Sequence, residues 1–253
     1  SRQTPALSAP GQNIAGQKGE SIRLPQQAKA PPPPQQEQEI TVETETYIAV
    51  LTSLGGRLKS FRLKQYPVSL SPGSPLLEMV YEGTYGELPL FLRLSGRDET
   101  LTDTTLAYSV EGAEESLFLR AGDEKDLVFT GRHANGTTFT KTYTFSGEGY
   151  GIALHVDIRD VPFKASSLSL SWLEGSRVES KSTYYDVYGP AALIDRTFEY
   201  ENTWDWEAGE SYGPGNIRWA GFTNSYFLAA IMPRGDQTQE SESRRLFFSD
   251  EDG

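Results

Sequence analysis

Residues 47–67, YIAVLTSLGGRLKSFRLKQYP, decide the fold class of this chain. An apolar run ends at Gly55-Gly56, and the residues that follow alternate between apolar and polar or basic side chains. Glycine adopts positive φ without a steric penalty, which a tight hairpin turn requires. The return run places Phe61 and Leu63 on one face of a strand and polar side chains on the other. The stretch therefore predicts a β-hairpin.

Alternation with a period of two begins before this hairpin and continues after it. From Ile40 onward it predicts a strand whose one face carries Val42, Thr44, Thr46, Ile48 and Val50, with Leu51 closing the run. Asn135-Gly136 predicts a second hairpin turn, before a strand with Phe139, Tyr143 and Phe145 on one side. The next strand carries an apolar face of Tyr150, Ile152, Leu154, Val156 and Ile158.

Further strands are predicted in SLSLSW (167–172), SYFLAAIMP (225–233) and RRLFFS (244–249). Helical periodicity is absent, apart from a single helical turn predicted for PAALID (190–195). Alternation with one polar face indicates antiparallel sheets that are each covered on one side. The predicted fold class is all-β, a large sandwich of packed antiparallel sheets, over residues 40–253.

Residues 1–39 differ in composition from the rest of the chain. They contain seven prolines, eight glutamines and no aromatic residue. Such a segment buries too little apolar surface to offset the entropy of ordering, so we expect a disordered linker. A flexible coil of this length spans about 35 Å. The chain begins without methionine, so any targeting segment is expected outside these residues.

Composition excludes several classes of function. The formal net charge of −12 makes nucleic acid an unfavourable partner. There is no cysteine, so disulfides, thiol catalysis and cysteine-based zinc sites are excluded. The longest apolar run, 226–232, has seven residues, and a membrane helix needs about 18 or more.

Three segments resemble the large periplasmic domain of the bacterial YidC membrane-protein insertase family. They are ITVETETYIAVLTSLGGRLKSFRLKQY (40–66), NGTTFTKTYTFSGEGYGIALHVDIRD (135–160) and IRWAGFTNSYFLAAIMP (217–233). The first resembles the family's opening strand and Gly-Gly turn. The others resemble its Thr-Phe-Thr-Lys segment and its Trp-containing segment. The matches occur in the family's order over about residues 40–248.

The resemblance implies a fold and a cellular setting. The family domain is a β-supersandwich similar to galactose mutarotases, and it continues past the end of this chain. It faces the periplasm of Gram-negative bacteria from the inner membrane. The rest of the family protein inserts other membrane proteins, alone or with the Sec translocon. The implied partners are therefore Sec components and nascent membrane proteins, with no cofactor and no catalytic residues.

The same resemblance raises an alternative function, a mutarotase-like sugar-binding protein or epimerase. That chemistry needs a general acid and a general base within hydrogen-bonding distance of a sugar ring. The only histidines are His133, in a predicted hairpin turn, and His155, on the polar face of a predicted strand. Neither lies near an acidic residue at a useful spacing, so the sequence favours a non-enzymatic domain.

The segment TFEYENTWDWEAGESYGPGNIRW (197–219) concentrates aromatic and acidic residues. Aromatic rings among polar groups anchor protein partners and also stack on sugars. The alternative is an irregular segment whose rings pack on the edge of the sandwich. We expect Trp204, Trp206 and Tyr212 to be the contact residues.

Its acidic residues lack the spacing of a calcium loop, so no metal site is expected there. Gly55-Gly56 and GRDET (96–100) lack the strand, helix and Lys-Ser/Thr context of phosphate loops, so they are interpreted as turns.

Overall fold

The computed structural model describes residues 37–81, 88–112, 114, 116–172, 188–200, 211–224, 226–234 and 244–247. Within these residues the chain forms strands joined by turns, and no helix. The first nine strands are β1 Glu39–Glu43, β2 Tyr47–Thr52, β3 Arg57–Pro67, β4 Leu76–Glu78, β5 Phe91–Gly96, β6 Thr100–Thr102, β7 Tyr108–Glu111, β8 Ser116–Phe118 and β9 Glu124–Arg132. The others are β10 Thr138–Ser146, β11 Ile152–Arg159, β12 Ala165–Ser171, β13 Tyr188–Ile194, β14 Thr197–Tyr200, β15 Ser211–Gly215, β16 Ile217–Asn224, β17 Leu228–Ile231 and β18 Arg244–Phe247.

The described strands form small sheets, which confirms the predicted all-β class. The first sheet has the order β4-β3-β2-β1-β8, the second β11-β10-β9-β7 and the third β12-β5-β6. The fourth has the order β14-β13-β16-β17, and β15 pairs with β18. The pairing is antiparallel except between β1 and β8, which run parallel over three residues. The architecture is that of packed, largely antiparallel sheets.

The hairpin at Gly55-Gly56 is confirmed. Strands β2 and β3 pair in antiparallel register from Tyr47 opposite Leu63 to Thr52 opposite Arg57. Gly55 and Gly56 have φ angles of 74° and 53°, the left-handed region that L side chains disfavour. A Cβ atom on Gly55 would also lie 2.6 Å from the Arg57 Nε atom. Glycine is therefore required at this turn on both conformational and steric grounds.

The predicted face of the segment around residues 42–50 is wrong beyond Thr44. A turn separates β1 from β2, because the Thr44 hydroxyl accepts hydrogen bonds from the backbone N–H groups of Thr46 and Tyr47, each at 3.1 Å. The turn shifts the alternation by one residue. The side chains buried on the core side are consequently Ile40, Val42, Tyr47, Ala49 and Leu51, whereas Ile48 and Val50 lie half-buried on the other face.

The helical turn predicted at 190–195 is also wrong, because β13 occupies Tyr188–Ile194. Pro190 lies opposite Phe222 of β16, one residue before the described pairing of β13 with β14 starts at Ala191.

One hydrophobic core joins the first three sheets. Its centre is aromatic, with Tyr47 stacked on Phe61 at 4.6 Å between ring centroids. Phe129 meets the ring of Tyr143 edge-on at 5.5 Å. The predicted face of β10 is confirmed, because Phe139, Tyr143 and Phe145 are fully buried. The predicted face of β11 is confirmed for Ile152, Leu154, Val156 and Ile158, which pack half-buried against the core. Tyr150 does not belong to that face, because it lies in the turn before β11 and is 43% exposed.

Candidate contact surface

The structure describes the backbone of only one of the three predicted contact residues, Tyr212. Trp204 and Trp206 lie outside the described residues. Tyr212 belongs to β15, where its backbone is opposite Leu246 of β18. The described ends of the segment 197–219 are strands β14, β15 and β16, so these ends are regular rather than an irregular excursion.

An aromatic row lies at the described ends of this segment. Leu193 of β13 is opposite both Phe198 of β14 and Trp219 of β16, which places these three side chains on one face of the fourth sheet. The Phe198 ring lies 6.0 Å from the Trp219 ring and 6.4 Å from the Tyr200 ring. Phe198 is 58% exposed. The row therefore presents a partly exposed aromatic surface four residues before Trp204.

A small polar depression adjoins the row at the β13–β14 turn. It has a volume of about 320 Å³ and is lined by Asp195, Arg196, Asn216 and Arg218. Asp195 fixes its floor: its carboxylate accepts a hydrogen bond from the Asn216 N–H at 3.1 Å, and its own N–H donates to the Asn216 carbonyl at 2.9 Å. Two exposed arginines beside aromatic rings can bind carboxylate groups of a partner.

The histidines do not assemble an acid–base site. His133 is half-buried in the β9–β10 turn, where its Nδ1 atom accepts a long hydrogen bond, 3.4 Å, from the Asn135 N–H. His155 is exposed on β11 opposite Thr142. His133 aligns with Thr137, so five residues of β10, or roughly 17 Å along the strand direction, separate the two positions.

A buried ion pair lies inside the core. The Lys141 ammonium of β10 donates to the Asp103 carboxylate at 2.6 Å, and both side chains are fully buried. Lys141 also donates to the carbonyl oxygens of Gly55 at 2.8 Å, Leu90 at 2.7 Å and Gly56 at 3.2 Å. The pair thereby connects β10 of the second sheet to the Gly-Gly turn of the first sheet and to the start of β5 in the third.

The Asp103 carboxylate accepts two further hydrogen bonds, from the Tyr108 hydroxyl at 2.9 Å and from the Leu92 N–H at 2.7 Å. Burial lowers the pKa of Lys141 to about 8, an effect that the Asp103 carboxylate opposes. Burial, followed by the charge of Asp103, raises the pKa of Tyr108. Perturbed groups of this kind also occur in active sites. Here the ammonium is enclosed by protein oxygens, so the pair fixes the sheets to one another rather than facing a substrate.

The sequence prediction missed Lys141 and its buried partners, although the sequence contains a signal for Lys141. Lys141 lies between Phe139 and Tyr143 in the period-two alternation, which assigns it to the buried face. A lysine at a core position requires a buried acceptor. The identity of that acceptor, Asp103, comes from a distant loop that only the fold brings close.

Two absences hold for the residues that the structure describes. No cluster of three or more metal-ligating side chains occurs there. Nor does this part of the chain contain a helix long and apolar enough to cross a bilayer.

The comparison with known proteins gives a consistent family. A sequence model described as the YidC periplasmic domain matches residues 39–249. Proteins named Membrane protein insertase YidC are similar to this chain. The one from Pelobacter propionicus is 29% identical over 246 residues, which is 95% of this chain and 44% of that relative. The one from Oleidesulfovibrio alaskensis is 30% identical, covering 91% of this chain and 44% of the relative.

The chain thus spans less than half the length of these relatives. The family match covers the strands that build the core, the Gly-Gly hairpin and the aromatic row. The resemblance of the three sequence segments is confirmed: the chain belongs to the YidC periplasmic domain family.

Proposed function

We propose that this chain is a non-catalytic periplasmic domain of a membrane-protein insertase. In this role it assists the insertion and folding of inner-membrane proteins, alone or with the Sec translocon, by contacting partners or substrates. It faces the periplasm of a Gram-negative bacterium, and the insertion machinery lies in the remainder of the protein. The observation that carries the proposal is the family match over residues 39–249.

Residues 1–39 are proposed to act as a tether. Their proline- and glutamine-rich composition gives a flexible reach of about 35 Å, enough to hold the domain away from an anchoring segment. Among the described residues just before β1, the Gln38 N–H donates to the Ser53 hydroxyl at 2.8 Å. Such a tether lets the domain reach partners over a range of distances from the anchoring segment.

The proposed contact surface consists of Trp204, Trp206 and Tyr212 together with the aromatic row of the fourth sheet. Large aromatic side chains dominate the energetics of protein interfaces, because they bury much area at a low entropic cost. The 58% exposure of Phe198 supports the availability of aromatic surface at the described start of the segment 197–219. The arginines at the adjoining depression supply charge-assisted hydrogen bonds for acidic groups of a partner.

A role in binding partner proteins is favoured over the alternative of mutarotase-like catalysis. Epimerisation requires an acid and a base that converge on a sugar-sized cavity. The two histidines are roughly 17 Å apart along the strand direction of the second sheet, and the depression beside the aromatic row is lined by arginines, an asparagine and an aspartate.

The test uses Trp204→Ala and Trp206→Ala in the full-length insertase. If the rings are anchors, each substitution lowers crosslinking to Sec components by about 1–3 kcal/mol of binding free energy, or roughly five- to 150-fold. The matched control is Phe118→Ala, which removes an aromatic side chain that is 55% exposed on the first sheet. Unchanged crosslinking together with a lowered melting temperature would show that the tryptophans are packing residues, which rejects the contact surface.

A further inference from the structure

Three segments that are distant in sequence meet around Tyr66, at the end of β3. The Tyr66 ring meets the Phe227 ring edge-on, with 5.2 Å between centroids. The Tyr66 side chain also lies close to that of Tyr150, in the β10–β11 turn. Six exposed side chains lie on these segments, and we call them the uncharged patch: Tyr66, Val68, Leu70, Tyr150, Tyr226 and Leu228.

The segments that carry the patch have no ionisable acid or base other than one histidine and the tyrosines. Residues 66–77, 149–156 and 226–233 contain no Asp, Glu, Lys or Arg. Charged residues make up 23% of the chain, so 28 residues of average composition would carry about six of them. The absence of charge is therefore a local property of this surface in a strongly acidic protein.

The two most exposed members of the patch lie in turns, and the turn that carries Leu70 is closed by hydrogen bonds. Leu70 is 100% exposed and Tyr226 is 88% exposed. The loop that carries Leu70 is closed by a hydrogen bond from the Val68 N–H to the Pro75 carbonyl at 2.9 Å, and by another from the Ser69 N–H to the Ser74 hydroxyl at 2.8 Å. The loop thus holds Leu70 away from the core and leaves its apolar surface exposed to water, which is unfavourable.

We propose that the uncharged patch docks on the interfacial layer of a lipid bilayer. Tyrosine suits this layer, since its ring is apolar and its hydroxyl stays with the headgroups. Leucine and valine tips enter the acyl boundary, and no charge has to be desolvated when they do. The chain belongs to a family of domains from membrane-protein insertases, so a bilayer lies within its reach.

A bilayer is favoured over a protein groove because of how far the side chains project. Leu70 and Tyr226 are almost fully exposed, and a fluid interface closes around such projections without a matching cavity. The overall charge of −12 further predicts that docking depends on apolar insertion rather than on attraction to anionic lipids. Added salt should consequently leave binding unchanged, and phosphatidylglycerol should not strengthen it.

The test is flotation of this chain with phosphatidylcholine vesicles. The variant Leu70→Ser/Tyr226→Ser removes two patch residues, and Phe118→Ser/Leu168→Ser is the matched control, because those side chains are 55% and 49% exposed elsewhere on the surface. Far-ultraviolet circular dichroism verifies that both variants remain folded. Since two large apolar side chains are removed from the bilayer contact, the patch variant should bind at least about ten-fold more weakly, and the control should bind like the parent.

Failure of the parent chain to float, or equal losses in the two variants, would overturn the proposal. Binding that requires phosphatidylglycerol and disappears with salt would also overturn it, because that would be electrostatic adsorption. If the patch variant instead reduces crosslinking of the full-length protein to another protein while vesicle binding is absent, the surface is a protein interface and the bilayer proposal is wrong.

Discussion

Replacing Lys141 by methionine tests how the buried ion pair stabilises the packed sheets. Methionine keeps the length and most of the volume of the lysine stem but removes the ammonium. Asp103 then remains as a buried carboxylate whose only donors are Tyr108 and Leu92 among the contacts described above. The carbonyl oxygens of Gly55 and Leu90 lose their Lys141 donor at the same time.

The expected loss of stability follows from these contacts. Removing one partner of a buried ion pair costs about 3–5 kcal/mol, because the other charge is left uncompensated. We expect a loss toward the upper end of this range, because buried carbonyl oxygens also lose a hydrogen-bond donor. Since domains unfold with about 5–15 kcal/mol, the variant should lose a large share of its stability. Adding Asp103→Asn should recover part of the loss, because it removes the stranded charge but keeps a side chain that can accept the Leu92 N–H.

Urea unfolding followed by tryptophan fluorescence measures this effect. With a typical dependence of about 1–3 kcal/mol per molar urea, the Lys141→Met midpoint should fall by roughly 1–5 M. The matched control is Lys64→Met, which breaks the surface pair with Glu43 at 2.7 Å and should cost about 0–1 kcal/mol. A loss below about 1 kcal/mol for Lys141→Met, or further destabilisation on adding Asp103→Asn, would refute the reasoning.

Two further predictions concern the same core. Burial holds the Lys141 pKa near 8 in the folded domain, so between there and its ordinary value of 10.5 the unfolded chain binds more protons, and the free energy of unfolding should rise with pH. Burial raises the pKa of Tyr47 to about 12 and also raises that of Tyr143, so above about pH 10 the unfolded chain loses protons first and stability should fall. Urea midpoints at about pH 7, 9 and 11 measure both trends. If the Lys141→Met variant shows no rise in stability with pH, the rise is due to Lys141. On β11, Leu154→Asp and Val156→Asp should each cost several kcal/mol, whereas Arg159→Asp should stay within about 1 kcal/mol; a larger loss for Arg159→Asp in the same urea assay contradicts the face assignment.

Local patterns in the sequence predicted most of the strands, since period-two alternation and Gly-Gly or Asn-Gly turns depend on near neighbours. The prediction failed at Thr44, where a threonine hydroxyl captures two backbone N–H groups and shifts the alternation by one residue. It failed again at 190–195, because pairing with β16 determines the extended conformation there.

Contacts between segments that are distant in sequence were harder to predict than the strands. The pairing of Lys141 with Asp103 joins residues that are 38 positions apart, and no local rule selects that acceptor. The uncharged patch likewise depends on the contact of Tyr66 with Phe227, which lies just before β17 of the fourth sheet. The composition of the segment 197–219 did indicate aromatic surface, and the row at Phe198 and Trp219 lies at its described ends.

Site-specific photocrosslinking from position 206 of the full-length insertase tests the proposed contact role most directly. A photoreactive residue is placed at 206, and the control position is Arg159, which is exposed on β11 of the second sheet. The proposal predicts adducts with Sec components or nascent membrane proteins from position 206, with few from position 159. Equal yields from both positions, or no adduct from position 206 in membranes that are active in insertion, would contradict it.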